Sequence, residues 1–211
     1  MRRYDPRLIL GILLVLGGLF SLLGATGLIS NAGGIFWGLL FAAGGLFFLN
    51  MLINQRENWW AAFPAFTLLG LAASSFLPDS LEAYNGLVFF AGLSLAFWWV
   101  YFTGTDRWWA IIPAGIMLTL GIVSLVDDLA PTAETGGLFF LGLGLTFILV
   151  AILPGDKSSR SWAWIPGVVL LLFGALLGTP YQGITDYLWP AVLILLGGYF
   201  VLRFFTNRSP E

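Results

Sequence analysis

Apolar residues run through this chain in long blocks, and polar residues are confined to short breaks between them. A helix needs about 20 mostly apolar residues to cross the hydrocarbon of a bilayer, with a range near 17–25. Eight blocks come close: Leu8–Gly24, Ile35–Ile53, Trp60–Leu77, Leu87–Phe102, Trp109–Val126, Leu138–Leu153, Trp162–Gly178 and Leu188–Phe205. Several stand at the short limit, so small tilt or a thin bilayer is expected around them. The breaks carry turn chemistry: Asn31-Ala-Gly-Gly, Pro78-Asp, Thr103-Gly-Thr-Asp, Pro131-Thr, Pro154-Gly-Asp and Thr179-Pro. The pattern predicts an all-α integral membrane protein with eight transmembrane helices in a single domain. The first block is read as a retained helix rather than a secretory leader. Its apolar run reaches Leu23, and the Ala-Thr-Gly that follows is a poor cleavage site.

Composition agrees with that pattern. Of 211 residues, 59% are hydrophobic and 9% charged. A soluble domain carries about 25% charged residues, so this chain has too few charges to cover a soluble fold. The net charge of −2 gives no reason to expect nucleic acid. Cys and His are both absent. That removes disulfides, thiolate and imidazole metal sites, His ligation of haem, and the most common general base. No cofactor, metal or catalytic residue is expected.

With eight spans, all nine basic residues fall on the side that holds both termini: Arg2, Arg3, Arg7, Arg56, Arg107, Lys157, Arg160, Arg203 and Arg208. The opposite breaks hold Asp79, Glu82, Asp127, Asp128, Glu134 and Asp186 and no basic residue. Short loops rich in Lys and Arg stay cytoplasmic, so both termini are expected inside. No charge stands near the middle of a block, and Arg203 near the end of the last one can snorkel. Proton relays and ion paths usually need intramembrane charges, so a proton-coupled pump is disfavoured.

One phrase recurs. The chain reads ENWWAAFPAF from Glu57, DRWWAIIPAG from Asp106 and SRSWAWIPGV from Ser159. Its prolines, Pro64, Pro113 and Pro166, are 49 and 53 residues apart, and eight residues beyond each lies Ala72, Gly121 or Gly174. The following blocks share a second phrase around Gly38, Gly92, Gly142 and Ala191. The chain therefore reads as four parallel helical-hairpin repeats of about fifty residues, near 1–54, 55–104, 105–156 and 157–211. The first lacks the tryptophan-proline phrase and keeps Gly17 at the small position. Inverted repeats, common in secondary transporters, need an odd number of spans per unit.

Trp59, Trp60, Trp108, Trp109, Trp162, Trp164 and, at the opposite level, Trp189 are candidate membrane-interface anchors. An indole edge donates one hydrogen bond while the rest of the ring is apolar, which suits the headgroup layer. Pro64, Pro113, Pro166 and Pro190 are expected to open helices, where a missing N–H costs little. The competing reading is an aromatic pocket at the inner level for a lipid or hydrophobic ligand. Two GxxxG spacings, Gly34–Gly38 and Gly174–Gly178, are no more than this glycine content produces by chance. Thr67, Ser74, Ser75, Ser94, Thr119, Ser124 and Thr146 lie within spans and are expected to bond to backbone of their own or a neighbouring helix. The outer carboxylates lack metal-loop spacing.

The last hairpin reads WAWIPGVVLLLFGALL and then LWPAVLILLGGYFVLR. The second string resembles the LiaI/LiaF-type transmembrane region of bacterial envelope-stress proteins, on Trp189, Pro190, Gly197 and Gly198. The resemblance covers about a quarter of the chain. It implies a bacterial inner-membrane protein with a sensing or accessory role. LiaF-like proteins also carry a soluble C-terminal domain, whereas this sequence has a short tail to Glu211. A weaker similarity is to HdeD-like acid-resistance membrane proteins, also made of small Gly-rich hairpins. The expected function is non-enzymatic: an accessory, scaffold or envelope-stress-sensing protein whose partners are the lipid bilayer and a membrane protein or a second copy of the chain. The alternative is a carrier or channel-like protein for a small neutral or lipidic solute, lined by Ser94, Thr119 and Thr146.

Overall fold

A computed structural model describes residues 6–27, 31–55, 57–104, 106–153 and 160–178, with 190, 193–194, 197–199 and 203 from the last block. The helices are α1 Pro6–Ala25, α2 Ala32–Asn54, α3 Ala62–Ser75, α4 Asn85–Thr103, α5 Ile111–Leu129, α6 Gly136–Ile152 and α7 Trp164–Leu177. Short 3-10 turns at Trp59–Ala61, Asp79–Tyr84, Trp108–Ala110 and Ser161–Ala163 lead into α3, α4, α5 and α7. The described residues contain no strand. Three helical stretches are long and apolar enough to cross a membrane: Ala32–Asn54, Asp79–Thr103 and Trp108–Leu129. Gly136–Ile152 and Ser161–Leu177 are apolar but shorter. The described residues of the last block are helical; Trp189 lies outside the described residues.

Helix ends follow local chemistry rather than the edges of the apolar runs. Asn31 sits in the left-handed region at φ 61° and accepts the N–H of Gly34 through its side chain, which opens α2. Helix α5 runs past Val126 and takes in Asp127 and Asp128, both placed in a loop by the sequence pattern. The stop is set by Pro131, which forces Ala130 out of helical geometry, to φ −139° and ψ 73°. Similarly, Pro78 begins a 3-10 turn, and α4 starts at Asn85, ahead of the predicted Leu87.

Each helix packs on its neighbours in the chain, in alternating direction. One end of the molecule therefore holds the connections with the tryptophans, Arg107 and Arg160. The other holds Asp79, Glu82, Asp127, Asp128 and Glu134. The most extensive contacts join α2 to α3, α4 to α5 and α6 to α7, across the tryptophan connections; α1 packs least, on α2. These pairs straddle the hairpin boundaries drawn from the sequence.

Small residues let helices meet closely, both across and within those hairpins. A Cβ built on Gly144 lies 2.8 Å from the Leu171 nitrogen and 3.0 Å from the Gly167 oxygen. One on Gly174 lies 2.6 Å from the Leu141 nitrogen, and one on Gly137 lies 2.6 Å from the Gly178 nitrogen. Helices α6 and α7 thus meet backbone to backbone, and the Gly174–Gly178 spacing takes part in that contact. Gly137/Gly144 and Gly167/Gly174 are each seven apart, the period of left-handed packing at a small crossing angle. Helices α3 and α4 cross at Gly70 and Gly92, where a Cβ on Gly92 lies 2.8 Å from the Phe66 oxygen.

Candidate functional site

The tryptophan phrase folds the same way at each of its three occurrences. A 3-10 turn holds its first residues, and the α-helix begins one residue later. Pro64, Pro113 and Pro166 are each the third residue of α3, α5 and α7. The N–H that each proline lacks is one that a helix leaves unpaired in any case. The carbonyl four residues earlier, on Trp60, Trp109 or Trp162, has no i+4 donor. It instead shares the N–H of Ala62, Ile111 or Trp164 with the preceding carbonyl. Pro190 is helical and exposed.

The third residue of each turn, Ala61, Ala110 or Ala163, is 0% exposed. These alanines form the core of the tryptophan end. Leu52, Ala61, Ala62, Val100 and Ala110 make one cluster, and Ile111, Val150 and Ala163 make the next. A methyl group at the turn lets the neighbouring helix close over it.

The residue after each proline is also small: Ala65, Ala114 and Gly167, all buried. Its carbonyl faces the preceding helix at Gly45, Ser94 and Gly144. At the first and third places a built Cβ lies 3.1 Å and 3.0 Å from that oxygen; at the second, the Ser94 Oγ donates to it at 2.9 Å. This register departs from the sequence alignment of Gly38, Gly92 and Gly142. Those three meet different neighbours: the Phe76 ring, Gly70 with the Phe66 oxygen, and Thr119. Runs of apolar letters align equally well in several registers, and only the contacts choose.

Thr119 and Thr146 sit between α5 and α6. Their hydroxyls donate to the Gly115 and Gly142 oxygens, each at 2.8 Å, one turn back on their own helices. Each threonine packs on the other's glycine: Thr146 against Gly115 and Thr119 against Gly142. Ser75 likewise donates back to Leu71 at 2.8 Å, whereas Ser74 reaches across to the Asn85 oxygen at 3.1 Å.

The indoles are partly covered by their own protein. Trp60 meets Phe48 edge to face at 6.3 Å, Trp59 meets Phe63 at 6.3 Å, and Trp162 meets Phe147 at 5.9 Å. Trp60, Trp109, Trp162 and Trp164 nevertheless remain exposed, whereas Trp59 and Trp108 are half-buried. The half-buried pair is where sequence reading missed a contact. Arg107, beside the second phrase, lies over the Trp59 ring of the first at 5.0 Å. Arg160, at the third, lies over the Trp108 ring of the second at 5.8 Å. A basic residue just ahead of each phrase was the available signal, but its partner is one phrase back in the chain. Arg160 is buried at 7% exposure. Arg107 is half-buried, and its Nη1 donates to the Thr103 Oγ1 at 3.2 Å.

Leu52, Ile53, Trp59, Trp99, Phe102 and Thr103 line a cavity of about 470 Å³ at this end. A second, near 500 Å³, lies between α1 and α2 beside Gly17, Phe36 and Trp37. Among the described residues no group of three His, Cys, Asp or Glu is placed to hold a metal. Comparison with protein-family models, curated proteins and solved structures finds no match.

Proposed function

We propose that the chain is a non-enzymatic scaffold or accessory protein of the bacterial inner membrane, with eight spans built as four parallel hairpin repeats and both termini cytoplasmic. The repeat reading is supported by the phrase that folds alike at Pro64, Pro113 and Pro166. The orientation rests on the basic residues, which with eight spans all fall at the tryptophan end, while the opposite end carries acidic charge alone. In this reading the exposed indoles stand in the inner headgroup layer.

One observation carries the proposal. The buried hydroxyls of Ser94, Thr119 and Thr146 are already engaged, whereas the outer faces of the helix row are apolar and open. Leu14, Phe47, Leu145 and Leu172 are each more than 60% exposed. In water such faces would aggregate; in lipid they are free to meet other helices. Ser94, Thr119 and Thr146, which a mid-membrane solute path would use, direct their hydroxyls to backbone carbonyls and pack in the interior. That favours lateral contact over transport. The resemblance to LiaI/LiaF-type regions points to envelope stress as the setting.

The test is site-specific photo-crosslinking in native membranes, with the reactive group at Leu145 or Leu172 and, as a buried control, at Ala114. The proposal expects defined adducts to a membrane protein or a second copy from the exposed positions and none from Ala114. It fails if the exposed positions give only lipid adducts.

A further inference from the structure

We infer that the cavity beside Arg107 is a binding site for one anionic phospholipid of the inner leaflet. The inference rests on the membrane reading above and adds a ligand to it. Five of the named wall residues carry aliphatic or aromatic side chains, Leu52, Ile53, Trp59, Trp99 and Phe102, with Phe102 74% exposed. Thr103 supplies a polar edge. The Arg107 guanidinium meets two of these lining residues, lying over the Trp59 ring at 5.0 Å and donating to Thr103. A cation–π contact and one hydrogen bond hold the guanidinium while leaving further N–H groups for a ligand. Among the described residues Arg107 forms no ion pair. Asp106, the nearest acid in the chain, is exposed to solvent.

A cation held on two residues of the cavity wall matches a phosphodiester joined to two chains. A zwitterionic headgroup brings its own cation and gains less from Arg107. The neighbouring Arg160–Trp108 pair does not repeat the site, because Arg160 is enclosed. One lipid per chain is therefore expected.

The experiment titrates the purified full chain in neutral detergent with phosphatidylglycerol, with phosphatidylcholine of the same acyl chains, and with glycerol phosphate. Native mass spectrometry reads the adducts. Phosphatidylglycerol is expected to bind at least about fivefold tighter than phosphatidylcholine, from a contribution near 1 kcal/mol per basic residue. Arg107→Gln should abolish that preference, and Arg107→Lys should retain part of it. Phe102→Ala, at an exposed position, should weaken both lipids alike. Equal binding of the two lipids by the natural chain would overturn the inference. So would an undiminished preference in Arg107→Gln, or glycerol phosphate binding as tightly as the lipid. Alkaline carbonate extraction of native membranes separates the two levels. A chain that resists extraction but shows no lipid preference refutes the site alone, whereas an extracted chain refutes the membrane reading beneath it.

Discussion

Replacing Gly174 with Ala tests the seam between α6 and α7. The added Cβ would lie 2.6 Å from the Leu141 nitrogen and 2.8 Å from both the Gly137 oxygen and the Leu141 Cγ. Two of those atoms are backbone, so no rotamer change relieves the contact. Carbon atoms settle at about 3.5–4.0 Å, so the helices must part by about 1 Å. A gap of that size forfeits a quarter to a half of the dispersion energy along the contact, and overpacking of this kind costs about 1–3 kcal/mol. Alanine's better helix propensity returns at most about 1 kcal/mol. The net loss should be about 1–2 kcal/mol, or roughly 2–8 °C in midpoint for a chain of this size. Gly18 is the control, since nothing lies within 4 Å of a Cβ built there. Gly18→Ala should leave the midpoint unchanged or raise it slightly. The assay is thermal unfolding of the full chain in mild detergent, followed by loss of the monodisperse peak. Gly137 faces the same contact, so Gly137→Ala combined with Gly174→Ala should cost less than the sum of the two. Equal midpoints for Gly174→Ala and Gly18→Ala would refute the backbone-contact argument.

Other outcomes follow from single contacts. Ser94→Ala removes a hydroxyl that bridges α4 to the Ala114 carbonyl and should cost about 0.5–1.5 kcal/mol in the same assay. Thr146→Val keeps the shape against Gly115 and loses only a bond to its own helix, so it should cost less than about 0.5 kcal/mol. Pro113→Ala should shift the midpoint by less than about 2 °C, because the Trp109 carbonyl that lacks a donor at position 113 already accepts from the Ile111 N–H. Ile122→Pro, in the interior of α5, should cost at least about 3 kcal/mol and abolish the folded peak. For orientation, a cytoplasm-active reporter fused after Gly104 should be active and one fused after Pro131 silent; the reverse would invert the proposed topology.

Much of the architecture was legible in the chain because its causes are local. Long apolar blocks form helices wherever the backbone must pair with itself, and prolines mark their ends. Pro131 and Pro78 are visible in the sequence, and they set the stop of α5 and the 3-10 turn before α4. The repeated phrase was equally plain, since Trp59, Trp108 and Trp162 each stand just ahead of a proline.

What only the tertiary structure decided is which small residues face one another. Gly45, Ser94 and Gly144 face the post-proline carbonyls, although Gly38, Gly92 and Gly142 align better as letters. Apolar side chains differ little in a string, but at a helix crossing a single methyl decides whether two backbones meet. The pairing of Arg107 with Trp59 was hidden for a related reason. Charge and ring are 48 residues apart, and only packing α4 against the Trp59 turn brings them within 5.0 Å. Local chemistry fixes where each helix begins and stops; close approach across helices fixes the register and, with it, the cavity between Trp59 and Thr103.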